Sequence, residues 1–305
     1  MGRRGLRRRM GNLDGYLDDV RLYKERLFEL YSSAGAVLGR KETPRGGGTT
    51  WGYRLISCPG YDSGGKPTGT SIGDDEIRIF YDICQLIKPQ RSLVIGNGFG
   101  VSAFALALAW PAGEVVAMDN WSEGEAGIVA RDLCLKICHA GGMDGRVTIF
   151  TGTSPADTPA AMQPLVRRGQ DTLDLAFIDG LHKDEAAAAD FQGLRPCLRR
   201  HSVVLWHNIH ATSRAFTESD TSGVGAQWDK HCVLRTYGPL GIYYHSEEHP
   251  ALHQYLTLSN LLWSDWSRYL RALLKTGGST SVHPVSAGGR ARHRIRSLLK
   301  RLRRA

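Results

Sequence analysis

A chain of 305 residues, 42% hydrophobic and 23% charged, is long enough to bury a sizeable core and has the balance of a soluble globular protein. Its longest apolar run, VSAFALALAW, is too short to cross a bilayer, and MGRRGLRRRM carries charge with no apolar stretch behind it, which argues against a secretory leader. The formal charge of +9 sits at the two ends: residues 1–10 hold five arginines and residues 288–305 eight Lys/Arg, with no acid in either, so removing those thirteen cations leaves residues 11–287 at −4. A nucleic-acid enzyme more often carries its basic patch on the folded body, although tails can also serve. Six cysteines (Cys58, Cys84, Cys134, Cys138, Cys197, Cys232) form no CxxC pair, a usage that suits reduced, buried thiols in a cytoplasmic protein rather than a zinc site.

In chain order, residues 13–38 predict a helix, with Leu17, Val20, Leu27, Leu30 and Tyr31 at helical spacing. The stretch from KETPRGGGTT through CPGYDSGGKPTGTS reads as turn-rich loop, so residues 1–70 form a helix and loop-rich extension. A second helix begins near Ser71, with an apolar face of Ile77, Phe80, Ile83, Cys84 and Ile87, and ends at Pro89. Strands and helices then alternate: Leu93–Ile95, the helix VSAFALALAW, the strand EVVAMD, a helix over 125–139, the strands RVTIF and LDLAFID, a helix over 183–198, and the strand SVVLWHN. Residues 233–245 predict a hairpin around Gly238–Pro239, which closes a domain over 71–246. Residues 255–275 predict an amphipathic helix within a segment 247–276, and residues 277–305 form a basic tail. The expectation is an α/β fold, a Rossmann-like doubly wound and mostly parallel sheet with helices on both faces.

In such a sheet ligands lie beyond the carboxyl ends of the strands. The first strand of the series runs into SLVIGNGFG, with Gly96, Gly98 and Gly100 spaced G-x-G-x-G. A dinucleotide fingerprint is G-x-G-x-x-G, and its third glycine is replaced here by Val101. Nineteen residues after Gly100, Asp119 ends the second strand, where a carboxylate can accept both ribose hydroxyls of a nucleoside. Together these features suit an adenosine-containing ligand without a pyrophosphate.

Over roughly residues 71–245 the chain resembles the class I S-adenosylmethionine-dependent methyltransferases. Within them it is most similar to the branch of macrocin-type sugar O-methyltransferases and cephalosporin-hydroxylase-like proteins. The residues that carry the likeness are IGNGFGVS, AMDNW, FIDGLH, LWHNI and SGVGAQWDK, in that order. The pattern departs from the family's where an acid usual before Ile-Gly is Val94, where a Gly-Gly before the fifth strand is RRH, and where a usual His-Asp is His207–Asn208. The resemblance implies O-methylation of a small hydroxylated acceptor, a sugar or natural-product moiety. Gly96, Asn97, Gly98 and Gly100 would wrap the amino-acid end of S-adenosylmethionine, Asp119 would hold its ribose, Asn120 and Trp121 would flank the adenosine, and Ser154 would cap the adenine.

Asp179, His182 and His207 are the candidate catalytic residues at the acceptor end. Asp179 reads as a metal ligand or base, or as the N-cap of the helix over 183–198. His182 reads as a general base, since an imidazole titrates near neutrality, or as a shaper of its loop. Asp179 and Asn208 offer oxygens to a hard cation such as Mg²⁺, with less charge than two carboxylates would. Asp190 reads as a surface charge. His245, His249 and His253 would form a metal stripe on one helix, but Pro250 interrupts it, and Trp263, Trp266 and Tyr269 read as a packing face. In the tail, Ile295, Leu298, Leu299 and Leu302 share one face among arginines, a pattern that suits an anionic membrane surface, RNA, or simple solvation. Two alternatives stay open beside the small-acceptor enzyme: an RNA methyltransferase using the basic tails, and a methyltransferase-like scaffold that has lost its chemistry. Self-association is a further open expectation.

Overall fold

The structure, a computed structural model, describes residues 13–45, 48–58, 68–166, 172–219, 228–233 and 238–257. The chain divides into two compact units, Met1–His253 and Gln254–Ala305; of the second, residues 254–257 are described, as the end of a helical segment over 250–257. The basic tails, the aromatic set 263–269 and most of SGVGAQWDK lie outside the described residues. No helix among the described residues is long and apolar enough to cross a membrane.

Helix α1 (Leu13–Ser33) leads into strands β1 (Val37–Arg45), β2 (Gly48–Ser57) and β3 (Thr68–Gly73). These three pair antiparallel in the order β1-β2-β3. The helix expected to reach residue 38 stops at Ser33, where Gly35 takes a φ of 75°. The loop expected before Ser71 is instead a sheet. Its first two strands pair along their whole length, from Val37 opposite Ser57 to Arg45 opposite Gly48, so backbone bonds rather than apolar alternation define it.

Helix α2 (Asp74–Ile87) follows β3 directly, three residues later than the sequence pattern suggested. The alternating series is then β4 (Arg91–Ile95), α3 (Val101–Ala109), β5 (Glu114–Asp119), α4 (Glu125–Ala140), β6 (Val147–Thr151), α5 (Thr158–Val166), β7 (Leu175–Ile178), α6 (Asp184–Leu194), β8 (Val203–Trp206), α7 (Ser213–Glu218), β9 (Asp229–Val233) and β10 (Leu240–Tyr244). A 3₁₀ turn over Arg195–Cys197 completes what read as one helix to 198. Seven strands form one sheet in the order β6-β5-β4-β7-β8-β10-β9. The pairs from β6 to β8 are parallel, and β10 runs antiparallel to both β8 and β9; the hairpin expected over 233–245 is present, but its first strand lies earlier, at Asp229–Val233.

The central parallel strands β4, β5, β7 and β8 are buried on both faces, which is why they read as unbroken apolar runs, while the edge strand β6 is half-buried. On one face Leu93, Ile95, Ala176, Ile178, Val204 and Trp206 pack with Met162 and Leu165 of α5, Phe191 of α6 and Phe216 of α7. On the other, Phe177 meets Phe80 of α2 edge to face, ring centroids 4.9 Å apart. The chain leaves β4 toward β5 and β6, then returns to lay β7 on the opposite side of β4. That reversal makes the gap between the β4 and β7 ends the switch point, the place where this architecture opens a crevice.

Candidate active site

The loop after β4 and the loop after β7 meet at that switch point. The Asp179 N–H donates to Ile95 O at 2.8 Å and the His207 N–H to Ile178 O at 2.9 Å, so the ladder continues one residue past each strand and fixes where Asp179 and His207 begin. Gly96, with φ at 82°, lies so close to Asp179 that a Cβ on it would fall 2.1 Å from the Asp179 carbonyl oxygen. A side chain there would separate the two loops, which accounts for glycine at this position in physical terms.

The glycine loop is tied to the end of β5. Asp119 Oδ2 accepts the Gly98 N–H at 2.8 Å and Oδ1 accepts the Trp121 N–H at 2.9 Å. Each carboxylate oxygen keeps lone-pair capacity for a further donor. Asn97 is buried, its amide nitrogen 3.5 Å from Cys134 Sγ, and its Oδ1 has no partner; the buried Trp121 Nε1 has none either. Trp121 also takes a φ of 52°, a costly conformation for a large side chain. The Asn97 amide oxygen and the remaining lone pairs of Asp119 are the groups here able to meet a polar ligand. Asn120 is exposed, with its Oδ1 accepting the Ser122 N–H. Ser154, beyond β6, faces Thr158 at 3.4 Å and the carboxylate of Asp190.

Beyond the ends of β7 and β8, four side chains stand in line. His207 Nδ1 lies 2.5 Å from Asp179 Oδ1, and the same oxygen is 3.1 Å from His182 Nε2. The opposite edge of the His207 ring faces Glu76 of α2, with Nε2 3.3 Å from Oε1. Glu76 is fully buried, His207 nearly so, and His182 half exposed at the open end. Asn208 takes a φ of 52°, which asparagine tolerates better than most residues, and its amide nitrogen lies 3.1 Å from His207 Nδ1 and 3.4 Å from His182 Nε2.

Burial alone would raise the Asp179 carboxyl, but the charge of His207 and the bonds from both histidines outweigh it and hold the group below the usual range. For His207, burial alone would favour the neutral ring. The flanking carboxylates of Asp179 and Glu76 win, and the imidazole holds its proton well above its ordinary pKa.

Asp179, His182, His207 and Asn208 therefore come together as the strand-end reading expected. The N-cap alternative for Asp179 fails, since α6 starts at Asp184 and the Asp179 carboxylate is taken by the two histidines. Asp190, expected on the surface, is buried; its carboxyl is raised by burial against an opposing bond from Ser154, and a Cβ on Gly180 would come within 3.0 Å of it. Glu76 was not foreseen as a site residue. Asp179, His182 and His207 each place one ligand atom within 4.8 Å of the others, and Asn208 adds an amide beside them. The histidines after β10 do not share a site. The ring of His249 bonds His201 O, that of His253 bonds Tyr244, and that of His245 packs on Trp228, while Pro250 begins the helical segment over 250–257 rather than breaking one.

Residues 93–209 match the family model described as a methyltransferase domain, a little over a third of the chain. No curated protein matches the sequence. Among solved structures, the chain is similar to the O-methyltransferase TomG of Streptomyces achromogenes, involved in tomaymycin synthesis and crystallised with SAM, at 19% identity and a TM-score of 0.43, covering 57% of this chain and 81% of that one. It is similar to an O-methyltransferase of Bacillus cereus in complex with SAH at 14% identity and a TM-score of 0.46, covering 76% and 96%. A methyltransferase of Geobacter sulfurreducens follows at 17% and 0.42, covering 56% and 78%.

Proposed function

We propose that this protein transfers a methyl group from S-adenosylmethionine to a hydroxyl oxygen of a small acceptor, a sugar or natural-product moiety. The observation that carries the reading is the junction at the switch point. A glycine loop bonded to Asp119 touches, through Gly96, the backbone of the aspartate that heads a histidine pair. The methyltransferase-domain match over residues 93–209 spans both halves of that junction.

When bound, the cofactor supplies an electrophilic methyl on a sulfonium, transferred in line to the acceptor oxygen. The chain's own work is to align the two and to take up the hydroxyl proton. Asp119 has the free lone pairs to accept ribose hydroxyls. Asp179 orients His182 through Nε2, which leaves the other nitrogen of a half-exposed imidazole to receive the proton. His207 keeps Asp179 ionised and fixed. One carboxylate, the His182 imidazole and an amide, joined by His207 once its Nδ1 proton is released, would also hold a divalent ion, and that nitrogen content suits a first-row transition ion better than Mg²⁺. Such an ion would lower the pKa of a bound hydroxyl.

Calorimetric titration with S-adenosylhomocysteine tests the reading. The parent protein binds, and Asp119→Ala weakens binding by about tenfold or more, roughly 1.4 kcal/mol. A folded parent that does not bind, with or without added divalent ion, would turn the assignment toward a non-catalytic protein of the same fold. Binding would justify an acceptor screen run with EDTA, Mg²⁺, Mn²⁺ and Zn²⁺ in parallel.

A further inference from the structure

Glu76 is a fully buried carboxylate in the first turn of α2, remote in sequence from every other residue of the site. Its two oxygens do different things. Oε2 accepts the N–H of Gly73 and so caps the helix it belongs to. Oε1 accepts the N–H of Gly238, in the turn before β10, at 2.8 Å, and lies 3.3 Å from His207 Nε2. That Nε2 is itself buried and has no aligned hydrogen-bond partner, so Glu76 is the acceptor in reach. Gly238 closes the same corner: a Cβ there would fall 2.3 Å from His207 Nε2 and 2.6 Å from Asn208 Oδ1. Phe177 flanks the ring, with centroids 5.8 Å apart. The imidazole is held by its back edge and leaves one edge, Nδ1, turned to Asp179.

Resting on the methyltransferase reading, we infer that Glu76 is a positioning residue: by engaging His207 at Nε2 it fixes the ring so that Nδ1 is the nitrogen aimed at Asp179, and thereby sets the carboxylate that orients His182. With a proton on each nitrogen the ring bridges two carboxylates, and the acid behind one edge decides which edge meets the other. A buried carboxylate behind Nε2 makes that decision without touching the acceptor or the cofactor. The charge also explains why a helix-capping position carries an acid that is buried instead of exposed. Capping α2 needs one oxygen, and the second is committed across the fold.

The test is ¹⁵N NMR of histidine-labelled full-length protein, parent and Glu76→Gln, with S-adenosylhomocysteine titrated into both. In the parent at neutral pH, His207 Nε2 carries a proton, as its place 3.3 Å from Glu76 Oε1 requires. In Glu76→Gln that nitrogen shifts toward the unprotonated range or averages between tautomers, while affinity for S-adenosylhomocysteine stays within about twofold. A parent spectrum with Nε2 unprotonated overturns the inference, as does a folded Glu76→Gln whose His207 signals match the parent's, since a purely structural acid would lower stability and leave the ring unchanged. If the variant does not fold, the parent spectrum alone still decides. Should neither protein bind S-adenosylhomocysteine, the function reading falls while the ring measurement continues to judge Glu76.

Discussion

Asp179 is the residue on which both histidines depend, and its neighbours explain why it can serve as an orienting anion in a buried place. Two imidazoles reach one of its oxygens, and the charge of His207 keeps the group ionised against the pull of burial. Asp179→Asn removes the charge and one acceptor while keeping the shape. Turnover is expected to fall by about 10²-fold or more, the range for loss of an oriented acid–base partner, with affinity for S-adenosylhomocysteine held within about twofold. A steady-state assay beside calorimetry checks both, and equal losses in the two would mean that Asp179 shapes the cofactor site instead. At this scale the strand-end positions of Asp119, Asp179 and His207 were legible in the sequence. It was silent on Glu76, because Asp74, Asp75 and Glu76 together look like ordinary acids in a first helical turn, and only the folded chain distinguishes the one that turns inward.

Among the elements, the parallel strands could be read directly, since strands buried on both faces are continuous apolar runs bounded by glycine or acid. The three-stranded N-terminal sheet could not. Glycine, proline and charge interrupt any alternation across residues 37–73, and the pairing is carried by backbone bonds that composition does not reveal. Helix α5 was hidden for a related reason: TPAAMQPLV holds Pro164 inside the helix, yet Ala161, Met162 and Leu165 still reach the core. The contact between the β4 and β7 loops makes a prediction of its own. Gly96→Ala must both adopt a left-handed φ and displace the Asp179 carbonyl, so it is expected to cost about 2 kcal/mol or more and to weaken S-adenosylhomocysteine binding and turnover together. Denaturant titration of the variant measures the first, and unchanged stability would mean that the loops part without penalty.

The whole molecule has a pH dependence located away from the crevice. His231 on β9, and His245 and His249 beyond β10, all have pKa values lowered chiefly by burial, with His253, Arg200 and His201 adding unfavourable charge around them. These rings are neutral in the folded chain, whereas the unfolded chain takes up protons as pH falls through ~6.5. Between that value and the lowered folded values the unfolded state binds more protons, so the contribution of these three rings is full above the window and is lost as pH falls through it. His207, with its raised value, instead contributes stability below ~6.5 that is lost as pH rises through its folded value. Urea midpoints measured above and below the window should differ, and the combined replacement of His231, His245 and His249 by glutamine should flatten the difference. A parent midpoint that does not move would place these groups in water.

Distance along the chain gives the site a history in time. Gly98 and Asp119 are 21 residues apart, whereas the Glu76–Gly238 contact spans 162. A ribosome that has released the first half of the chain has released Asp119 and the glycine loop it binds, though not the β7 end that packs on Gly96, and the back wall of His207 waits for the turn before β10. Because closing long loops is slow, the cofactor half should acquire its structure early and the acceptor half last. On the proposed reading, a nascent chain halted before β10 would carry the cofactor loop without the wall behind His207.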